Sequence, residues 1–490
     1  MQPETDQETL MIVYTNDLHS HFSAMGRIAA MVDELRATPQ TSVLLLDIGD
    51  HMDRAAPETE GTMGQANVDV LNLTGYDAIT IGNNEGLTFT PELLEQAYAG
   101  LTCPVICGNI RELDTGKPPK WMKEHLIVRR SGMTIGLIGA TASYPEFYEL
   151  LGLEALDPRT TIADSVTRLR DQVDLIIVMS HLGIKLDEEL AKSVPDIDLI
   201  IGGHTHHLLE EPLRIGTTMI TAAGKFGRYL GHIAFRKNTT DGKPVVVEGR
   251  CVAVENGEES ERVLKAISIH QEGAKRRMDR TVAVTERELP IDYKSESPFG
   301  NLLAQAVKRY TGSELSIINS GQLLMDLPKG EISEGMLHGR CPSPINPCRM
   351  KLKGADILYS LEESLLSEMT DRAIYGFGFR GKVLGGICVD GMEILYDPSG
   401  EPFRKIIQAS VQGVPISPDR DYDVGTLDMF TFGIGYERLK NGVERQYMLP
   451  DFLRDLLKME LQTAGAVEDS FLPRWKKTEC NTEDAFPADP

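Results

Sequence analysis

The chain has 490 residues, of which 41% are apolar and 25% are charged, a balance typical of globular rather than disordered proteins. At roughly 100–200 residues per domain, this length predicts two to four domains. The 50 Lys and Arg against 73 Asp and Glu give a net charge of −23, which disfavours nucleic acid and anionic lipid as partners. An anionic substrate would need a local positive charge, and a bound metal is the obvious source.

The sequence carries no recognisable targeting or membrane signal. No apolar run approaches the roughly 18 residues of a spanning helix, and the acidic start MQPETDQETL lacks the basic and apolar stretches of a secretory signal. Seven Cys are sparse and odd in number, which argues against a disulfide framework. We therefore expect a cytoplasmic protein without a membrane partner.

The first half of the chain alternates short apolar runs with amphipathic stretches. Strands are predicted at 11–15, 43–48, 77–81, 104–107, 126–129, 135–139, 174–179 and 197–201, with helices at 26–36, 64–74, 91–99 and 161–172 between them. This alternation predicts an α/β fold with sheets buried on both faces. The later runs 218–222, 229–236 and 245–254 have no helix between them and predict antiparallel strands that complete the domain.

The second half begins with a charged segment, 256–280, that predicts a connecting helix. An α+β pattern follows, with helices predicted at 298–310, 354–367 and 449–461. The predicted organisation is a first domain at 10–255, the connecting helix at 256–280, a second domain at 281–462 and an acidic tail at 463–490.

Five strands of the first half run into side chains that can bind a metal. These side chains are Asp17, His19, Asp50, Asn83, His181, His204 and His206. Because ligands bind at the carboxyl ends of strands in an open α/β sheet, we expect the seven to meet at one site. A single strand that ends in such a side chain is typical of an ordinary turn. Five strands that end in this way, in succession along the chain, offer enough oxygen and nitrogen atoms for two divalent ions.

The motif series D-x-H, G-D, G-N-x-E, S-H and G-H-T-H resembles the dinuclear metallophosphoesterase (calcineurin-like) superfamily, in its 5'-nucleotidase and 2',3'-cyclic phosphodiesterase branch. In the second half, the segment ESPFGN at 296–301 is similar to the E-S-x-x-G-N signature of that branch, and NSGQ at 319–322 to its N-G-G-G turn. The resemblance covers roughly residues 10–460. It implies a four-layer β-sandwich flanked by helices, followed by an α+β 5'-nucleotidase-type domain.

The resemblance also implies how the metal ligands divide. One ion would be held by Asp17, His19 and His206, the other by Asn83, His181 and His204, with Asp50 bridging both. Independently of the family, two ions about 3.5–4 Å apart lower the pKa of a bridging water, which gives hydroxide, and hold the phosphoryl oxygens during an in-line displacement. Nitrogen and oxygen ligands without thiolate suit Mn, Zn, Fe or Co alike.

Two departures from the family pattern affect catalysis and recognition. G-N-N-E replaces G-N-H-E, so Asn84 stands where the family has a histidine that stabilises the transition state; a carboxamide can donate to a phosphoryl oxygen but cannot act as a general acid. Leu324 replaces the substrate-binding Arg after the N-G-G-G turn, and G-G-D-G-Y is shortened to GIGY at 433–436. The expected catalytic residues are Asp50 and Asn84, and the expected substrate contacts are Asn319, Gly321, Phe430 and Tyr436.

The sequence thus predicts a hydrolase that cleaves a phosphomonoester, a nucleotide or a related small phosphate ester. A 2',3'-cyclic nucleotide phosphodiesterase and a phosphatase of non-nucleotide esters are alternatives, as is a metal- and phosphate-binding protein with little catalysis. The recognition residues also leave two interpretations open. Either a base stacks on some of the aromatic residues Phe377, Phe379, Phe430, Phe432 and Tyr436, or these residues belong to the core.

Overall fold

A boundary between Arg277 and Met278 divides the chain into two units, each of which is described by itself. The computed structural model describes residues 8–255 and 257–478. Within these residues no helix combines the length and the apolar composition that crossing a membrane requires.

Two sheets lie at the centre of the first unit. The larger sheet has the strand order Pro244–Ala253, Tyr229–Lys237, Thr9–Thr15, Thr41–Asp47, Ala78–Ile79, Val105–Ile106, Met122–Lys123. The smaller sheet has the order Leu213–Ile215, Thr218–Thr221, Leu199–Gly202, Leu175–His181, Met133–Thr141, His125–Arg130. The short strands Ile110–Glu112 and Leu153–Ala155 pair separately.

Helices cover the outer faces of both sheets. They are Phe22–Ala37, Pro57–Thr62, Gln65–Thr74, Asn83–Thr88, Pro91–Tyr98, Pro145–Leu150, Pro158–Leu169, Ile184–Ser193 and Glu261–Met278. One core lies between the sheets and two more lie between a sheet and its helices. The strands are continuously apolar because both of their faces are buried in this way. The predicted four-layer α/β fold is confirmed.

The antiparallel pairing predicted for the late strands is observed, with one parallel neighbour in addition. Tyr229–Lys237 and Pro244–Ala253 pair antiparallel, as expected from the absence of a helix between them. Thr218–Thr221 pairs antiparallel with Leu213–Ile215 and also runs parallel to Leu199–Gly202. The residues between these two strands, 203–217, are numerous enough for a parallel crossover without a helix.

The predicted connecting helix is Glu261–Met278, and it packs on the first unit. Val263 and Ile267 belong to the core of that unit. An ion pair and a hydrogen bond also join the helix to its neighbours, since Arg262 binds Asp33 at 2.8 Å and His270 Nε2 lies 2.7 Å from Asp69 Oδ2.

The second unit has the predicted α+β character. Its strands form three sheets. The largest has the order Ile387–Asp390, Leu315–Asn319, Asp421–Leu427, Pro347–Lys353, Val443–Tyr447, and the second has the order Val414–Pro415, Ile406–Val411, Met392–Tyr396, Trp475–Lys477. The third pairs Thr281–Thr285 with Gly330–Ser333. Its helices are Pro298–Thr311, Glu334–Arg340, Gly354–Glu363, Ser367–Thr370, Asp428–Thr431, Leu453–Leu461 and Ala466–Ser470. A single apolar core joins these elements.

Part of the segment predicted as a tail is folded. Residues 463–478 include the helix Ala466–Ser470 and the strand Trp475–Lys477, which pairs in parallel with Met392–Tyr396. The remainder of the predicted tail, 479–490, lies outside the described residues.

The segment similar to the E-S-x-x-G-N signature anchors this last part of the chain. The Glu296 carboxylate accepts hydrogen bonds from the backbone N–H groups of Arg474 at 2.6 Å and Trp475 at 3.1 Å. Asn301 Nδ2 donates to the carbonyl oxygen of Ser470 at 3.0 Å. The signature therefore has a structural role here, since its polar side chains satisfy the backbone of a distant segment.

Candidate metal centre

Five of the seven predicted ligands have a left-handed backbone conformation. Their φ angles are 50° at Asp17, 45° at His19, 50° at Asp50, 72° at His204 and 58° at His206. Residues other than glycine rarely adopt this conformation, which costs roughly 1–3 kcal/mol each and tends to occur at functional sites. Sharp turns of this kind after the strands bring the ligand side chains together.

Backbone hydrogen bonds join the first two of these turns. The N–H of Asp17 donates to the Gly49 carbonyl at 3.0 Å, and the N–H of His19 donates to the Asp50 carbonyl at 2.8 Å. The strands that precede them, Thr9–Thr15 and Thr41–Asp47, are parallel neighbours, so their carboxyl ends lie side by side. The meeting of these ligands is therefore a consequence of sheet order.

Asp17, His19 and His206 form a first group of donor atoms. His19 Nε2 and His206 Nε2 are 3.1 Å apart, and Asp17 Oδ1 lies 3.8 Å from the first and 3.5 Å from the second. All three ligand atoms lie within 4.8 Å of one another, close enough to hold one ion.

Asp17, Asp50 and His181 form a second group with the same mutual spacing. His181 Nε2 lies 3.4 Å from Asp50 Oδ1 and 4.0 Å from Asp17 Oδ1. The other oxygen of Asp50, Oδ2, lies 3.7 Å from His19 Nε2 of the first group. Asp50 thus faces both groups, each with a different carboxylate oxygen.

His204 and Asn83 lie beside the second group. His204 Nδ1 is 2.8 Å from Asn83 Oδ1, and the His204 ring meets the His181 ring edge-on with centroids 5.4 Å apart. The structure therefore brings all seven predicted ligands together in the first unit.

The donor atoms suit a divalent cation. His181 Nδ1 lies 2.8 Å from the Ile48 carbonyl and donates to it, so the other ring nitrogen, Nε2, faces the carboxylates. That Nε2 is buried and makes no hydrogen bond to any residue in the ranges 8–255 and 257–478. A buried, unpaired nitrogen facing two buried carboxylates is the arrangement that a cation satisfies.

The electrostatics of the centre favour a positive charge among the carboxylates. Burial raises the pKa of Asp17 to about 6, and the carboxylates of Asp50 and Asp17 outweigh burial to raise the pKa of His181 to about 10. Burial lowers the pKa of His204 to about 4 and, together with nearby His19, lowers that of His206 to about 3. Neutral imidazole is the form that binds metal, so these two rings are ready to ligate.

Similarity to known proteins decides the family. Residues 10–208 match the family model described as calcineurin-like phosphoesterase, and residues 278–440 match the one described as 5'-nucleotidase, C-terminal domain. A protein of Bacillus subtilis strain 168, named the uncharacterized metallophosphoesterase YunD, is 33% identical over 464 residues, which cover 93% of this chain and 99% of that protein. The chain belongs to the calcineurin-like metallophosphoesterase family. It is a metal-dependent phosphoric ester hydrolase that uses divalent ions.

Two further proteins are similar to this metallophosphoesterase. The 5'-nucleotidase of Rattus norvegicus is 22% identical over 472 residues, which cover 84% of this chain and 79% of that protein. The structure of Haemophilus influenzae NAD nucleotidase matches with a TM-score of 0.69 at 16% identity and covers 96% of this chain and 99% of that chain. The second comparison shows a shared fold.

In this metallophosphoesterase, the Glu of G-N-N-E shapes the turn around Asp50. Glu85 Oε2 accepts from the backbone N–H groups of Asp50 at 2.9 Å and Gly82 at 2.7 Å, and its Oε1 accepts from that of Met52 at 2.6 Å. Gly82 leaves the space that the Asp50 carboxylate fills, since a Cβ there would overlap Asp50 Oδ1. The Asp50 carboxylate is therefore positioned by the protein itself.

Asn84, expected to contact the phosphoryl group, lies against a metal ligand instead. Its side-chain amide is 2.9 Å from His19 Nδ1, the ring nitrogen opposite the one that faces the donor group. The same amide nitrogen lies 3.3 Å from the Met52 carbonyl, while the backbone N–H of Asn84 donates to Asp50 Oδ1 at 2.8 Å. The structure thus places the Asn84 amide nitrogen against the predicted ligand His19, and the expected role of Asn84 at the phosphoryl group stays a prediction.

The four expected substrate contacts lie inside the second unit. Asn319, Phe430 and Tyr436 have no exposed surface, and Gly321 is buried. Asn319 Nδ2 and the Tyr436 hydroxyl donate to backbone carbonyls of the segment 383–386 at 2.6 and 2.7 Å, and a Cβ at Gly321 would overlap that segment. These positions hold the segment in place, and the expectation of direct substrate contact is corrected for this reason.

Three residues without a predicted role surround the metal centre. Asp53 Oδ2 lies 3.6 Å from His19 Nδ1, the Tyr144 hydroxyl lies 3.4 Å from His204 Nε2, and the Phe226 ring meets His19 edge-on at 5.8 Å. Asp53 ends the G-D-H-M-D segment, and Tyr144 follows the end of a strand. Both positions after strands could therefore have been predicted from the sequence to lie near the site. Phe226 follows a strand too, but an aromatic residue there is ordinary.

Proposed function

We propose that this metallophosphoesterase binds two divalent ions and hydrolyses a phosphomonoester of a nucleotide. The observation that carries the proposal is the position of Asp50, whose Oδ1 lies 3.4 Å from His181 Nε2 and whose Oδ2 lies 3.7 Å from His19 Nε2. A carboxylate placed between two sets of imidazoles is suited to join two ions. When bound, such ions supply Lewis acidity to the phosphoryl oxygens and lower the pKa of water.

The protein's own groups hold and orient the reacting centre. The Asp17 and Asp50 carboxylates provide negative charge in a buried setting, and the Ile48 carbonyl fixes the tautomer of His181. The Asp53 carboxylate faces Nδ1 of His19 and favours the proton there, which leaves Nε2 for an ion. Such preorganisation would fix where the ions bind relative to the phosphoryl oxygens.

For the second unit we propose that a nucleotide base stacks on Phe377 and Phe432. Their side chains are 53% and 44% exposed, and their rings lie 5.9 Å apart at 32°. The other aromatic residues considered for this role, Phe379, Phe430 and Tyr436, are buried. The names of the rat 5'-nucleotidase and the Haemophilus influenzae NAD nucleotidase support a nucleotide substrate. The cytoplasmic location and the absence of a nucleic-acid partner stay predictions from composition.

The test is phosphate release from a panel of esters, with Mn, Zn or Co added or with chelator. The panel contains nucleoside monophosphates, 2',3'-cyclic nucleotides, sugar phosphates and an activated aryl phosphate. We expect metal-dependent release from nucleoside monophosphates that Asp50→Asn abolishes and that the exposed control Asp164→Asn leaves intact.

Other outcomes would replace the proposal. Faster opening of 2',3'-cyclic nucleotides would indicate a phosphodiesterase, and faster turnover of sugar phosphates a phosphatase of other esters. Tight metal and phosphate binding without turnover of any ester would indicate a binding protein.

A comparison of KM for nucleotides with KM for sugar phosphates tests the stacking proposal. Phe377→Ala and Phe432→Ala should raise KM for nucleoside monophosphates by about tenfold and leave KM for sugar phosphates unchanged, because stacking on an aromatic ring contributes roughly 1–3 kcal/mol per base. Phe403→Ala is the matched control, since Phe403 is 43% exposed in the same unit. Equal effects on both substrate classes would contradict the stacking role.

A further inference from the structure

Tyr144 lies beyond the carboxyl end of a strand that neighbours the strand of a predicted ligand. Met133–Thr141 pairs in parallel with Leu175–His181, whose last residue is that ligand. Tyr144 follows the first of these strands and directly precedes the helix Pro145–Leu150, whose first turn donates two backbone hydrogen bonds to the Tyr144 carbonyl at 3.0 Å. The start of the helix therefore holds Tyr144 at the edge of the sheet where the metal ligands meet.

His204 presents a different ring nitrogen to the centre from the other predicted histidine ligands. The other three direct Nε2 at the donor atoms around them, and they are His19, His181 and His206. His204 directs Nδ1 at Asn83 Oδ1, which is 2.8 Å away, while its Nε2 lies 3.4 Å from the Tyr144 hydroxyl. Binding of an ion at Nδ1 requires that the proton of the neutral ring be on Nε2.

The backbone of His204 is fixed, but its ring has two ways to lie. The backbone N–H is 3.1 Å from both carboxylate oxygens of Asp17. A half-turn about χ2, a torsion with two broad minima in histidine, would exchange Nδ1 for a carbon atom and take the nitrogen away from Asn83. The Tyr144 hydroxyl distinguishes the two orientations, since only the observed one places Nε2 beside its oxygen.

The Tyr144 hydroxyl is available to His204. Among residues 8–255 and 257–478, His204 Nε2 is the one hydrogen-bond partner of this hydroxyl. The two rings meet edge-on with centroids 6.4 Å apart, and the Phe147 ring also meets Tyr144 edge-on at 6.5 Å. A ligating histidine usually donates its second N–H to an oxygen atom, which fixes the tautomer and the ring angle.

We propose that Tyr144 is a positioning residue for one of the two ions. Its hydroxyl accepts the Nε2 proton of His204, so that Nδ1 of this ring binds the ion together with Asn83 Oδ1. The inference rests on the proposed function, which requires two ions, and adds to it a residue that sets the affinity for one of them. The ion at the first group of donor atoms does not depend on Tyr144.

Calorimetric titration of the metal-free proteins with Mn or Zn tests the proposal without turnover. Tyr144→Phe removes the hydroxyl and keeps the ring that meets Phe147. Loss of an outer partner of a ligating histidine costs about 10- to 100-fold in metal affinity. Because 3.4 Å is long for a hydrogen bond, we expect one ion to bind about tenfold more weakly and the other as in the parent.

The matched control is Tyr229→Phe, which removes a hydroxyl from another half-buried tyrosine of the first unit. Both ions should bind to this variant with the parent affinity. Urea unfolding of the metal-free proteins should give the same curve for the parent and for both variants.

Two reference proteins identify the ion that is weakened. His206→Ala removes a ligand of the first group, so its tighter ion is the one at His204; His204→Ala leaves the first group complete. Addition of Tyr144→Phe should weaken the tighter ion of His206→Ala about tenfold and leave the tighter ion of His204→Ala unchanged. A general loss of structure would weaken the tighter ion in both proteins.

Phosphate release gives a second readout. Tyr144→Phe should lose activity at low Mn concentration and regain the parent kcat at saturating Mn, because it lacks affinity for an ion and no group that touches the ester. A kcat that stays low at saturating Mn would overturn the positioning role and place the hydroxyl in contact with substrate.

The remaining outcomes separate this inference from the proposed function. Equal weakening of the tighter ion in both reference proteins would overturn the inference. If the parent binds two ions but hydrolyses no ester, and Tyr144→Phe weakens the ion at His204, the proposed function fails and the positioning role stands. If the parent is active and Tyr144→Phe binds both ions as the parent does, the positioning role fails and the proposed function stands.

Discussion

At the scale of single residues, His19 shows how ligation and orientation are combined in one ring. Its Nε2 faces the donor group, while its Nδ1 faces the Asn84 amide at 2.9 Å and Asp53 Oδ2 at 3.6 Å. A ligating imidazole keeps its tautomer and ring angle when its second nitrogen is hydrogen-bonded. Asp53, the acceptor on that side of the ring, is therefore placed to keep the proton of His19 on Nδ1 and to leave Nε2 for an ion.

Asp53→Asn should weaken metal binding about 10- to 100-fold, because the carboxylate that faces Nδ1 of the predicted ligand His19 is lost. Titration of the metal-free protein with Zn or Mn by calorimetry measures this change. The control is Asp164→Asn, at an exposed position of the same unit. Unchanged metal affinity would show that the Asp53 carboxylate does not act on His19.

At the scale of elements, the E-S-x-x-G-N signature joins the start of the helix Pro298–Thr311 to the end of the described chain. Ser297 caps this helix by accepting from a backbone N–H, and Glu296 and Asn301 bind backbone groups between residues 470 and 475. The strand Trp475–Lys477 is thereby held in its sheet. A motif diagnostic of the family thus stabilises the second unit.

Asn301→Ala should lower the free energy of unfolding of the second unit by about 1–3 kcal/mol, because the buried Ser470 carbonyl loses its donor. Urea unfolding measures the loss, and proteolysis of the segment 463–478 should become faster. The metal affinity of the first unit should not change. An unchanged unfolding curve would show that the hydrogen bond at 3.0 Å contributes nothing.

The GIGY segment at 433–436 is a second family motif with a structural role, because its Tyr436 binds the backbone of the segment 383–386. Tyr436→Phe removes the hydroxyl that donates to this segment and should cost about 1 kcal/mol in unfolding free energy. KM for the substrate should stay at the parent value, because the Tyr436 side chain is fully buried. A higher KM with unchanged stability would return Tyr436 to the substrate site.

At the scale of the whole molecule, the two units have separate cores and separate buried acids. In the second unit, burial raises the pKa of Asp428 to about 7, although backbone N–H groups of Asn346 and Met429 lower it in part. A carboxyl whose pKa is higher in the folded than in the unfolded state favours the folded state when protonated. Its contribution is complete below about pH 4 and is lost as the pH rises through 7.

Asp428→Asn should therefore become more stable relative to the parent as the pH rises, by up to about 3 kcal/mol between pH 5 and pH 7.5. Asparagine mimics the protonated carboxyl and does not titrate in this range. Urea unfolding at the two pH values measures the difference, and the exposed Asp419→Asn is the control. A parent and variant with parallel pH profiles would show that Asp428 ionises freely in the folded protein.

The sequence by itself determined the layered fold and the seven residues that converge on the metal centre. Continuous apolar runs such as those of Thr41–Asp47 and Leu175–His181 indicate strands buried on both faces. Parallel order then brings the carboxyl ends of these strands to one edge, so polar residues there meet without further information. These are properties of local pattern and sheet order.

Only the tertiary structure decided which side chains face each other and which face solvent. Asn84 and His19 are 65 positions apart, and the choice between a phosphoryl contact and a ring contact depends on how their turns pack. The same holds for Phe377 and Phe430, since one aromatic residue is exposed and the other is in the core. The periodicity of apolar residues predicts burial only within a regular helix or strand. All of these residues lie in turns or in helices too short to show a period.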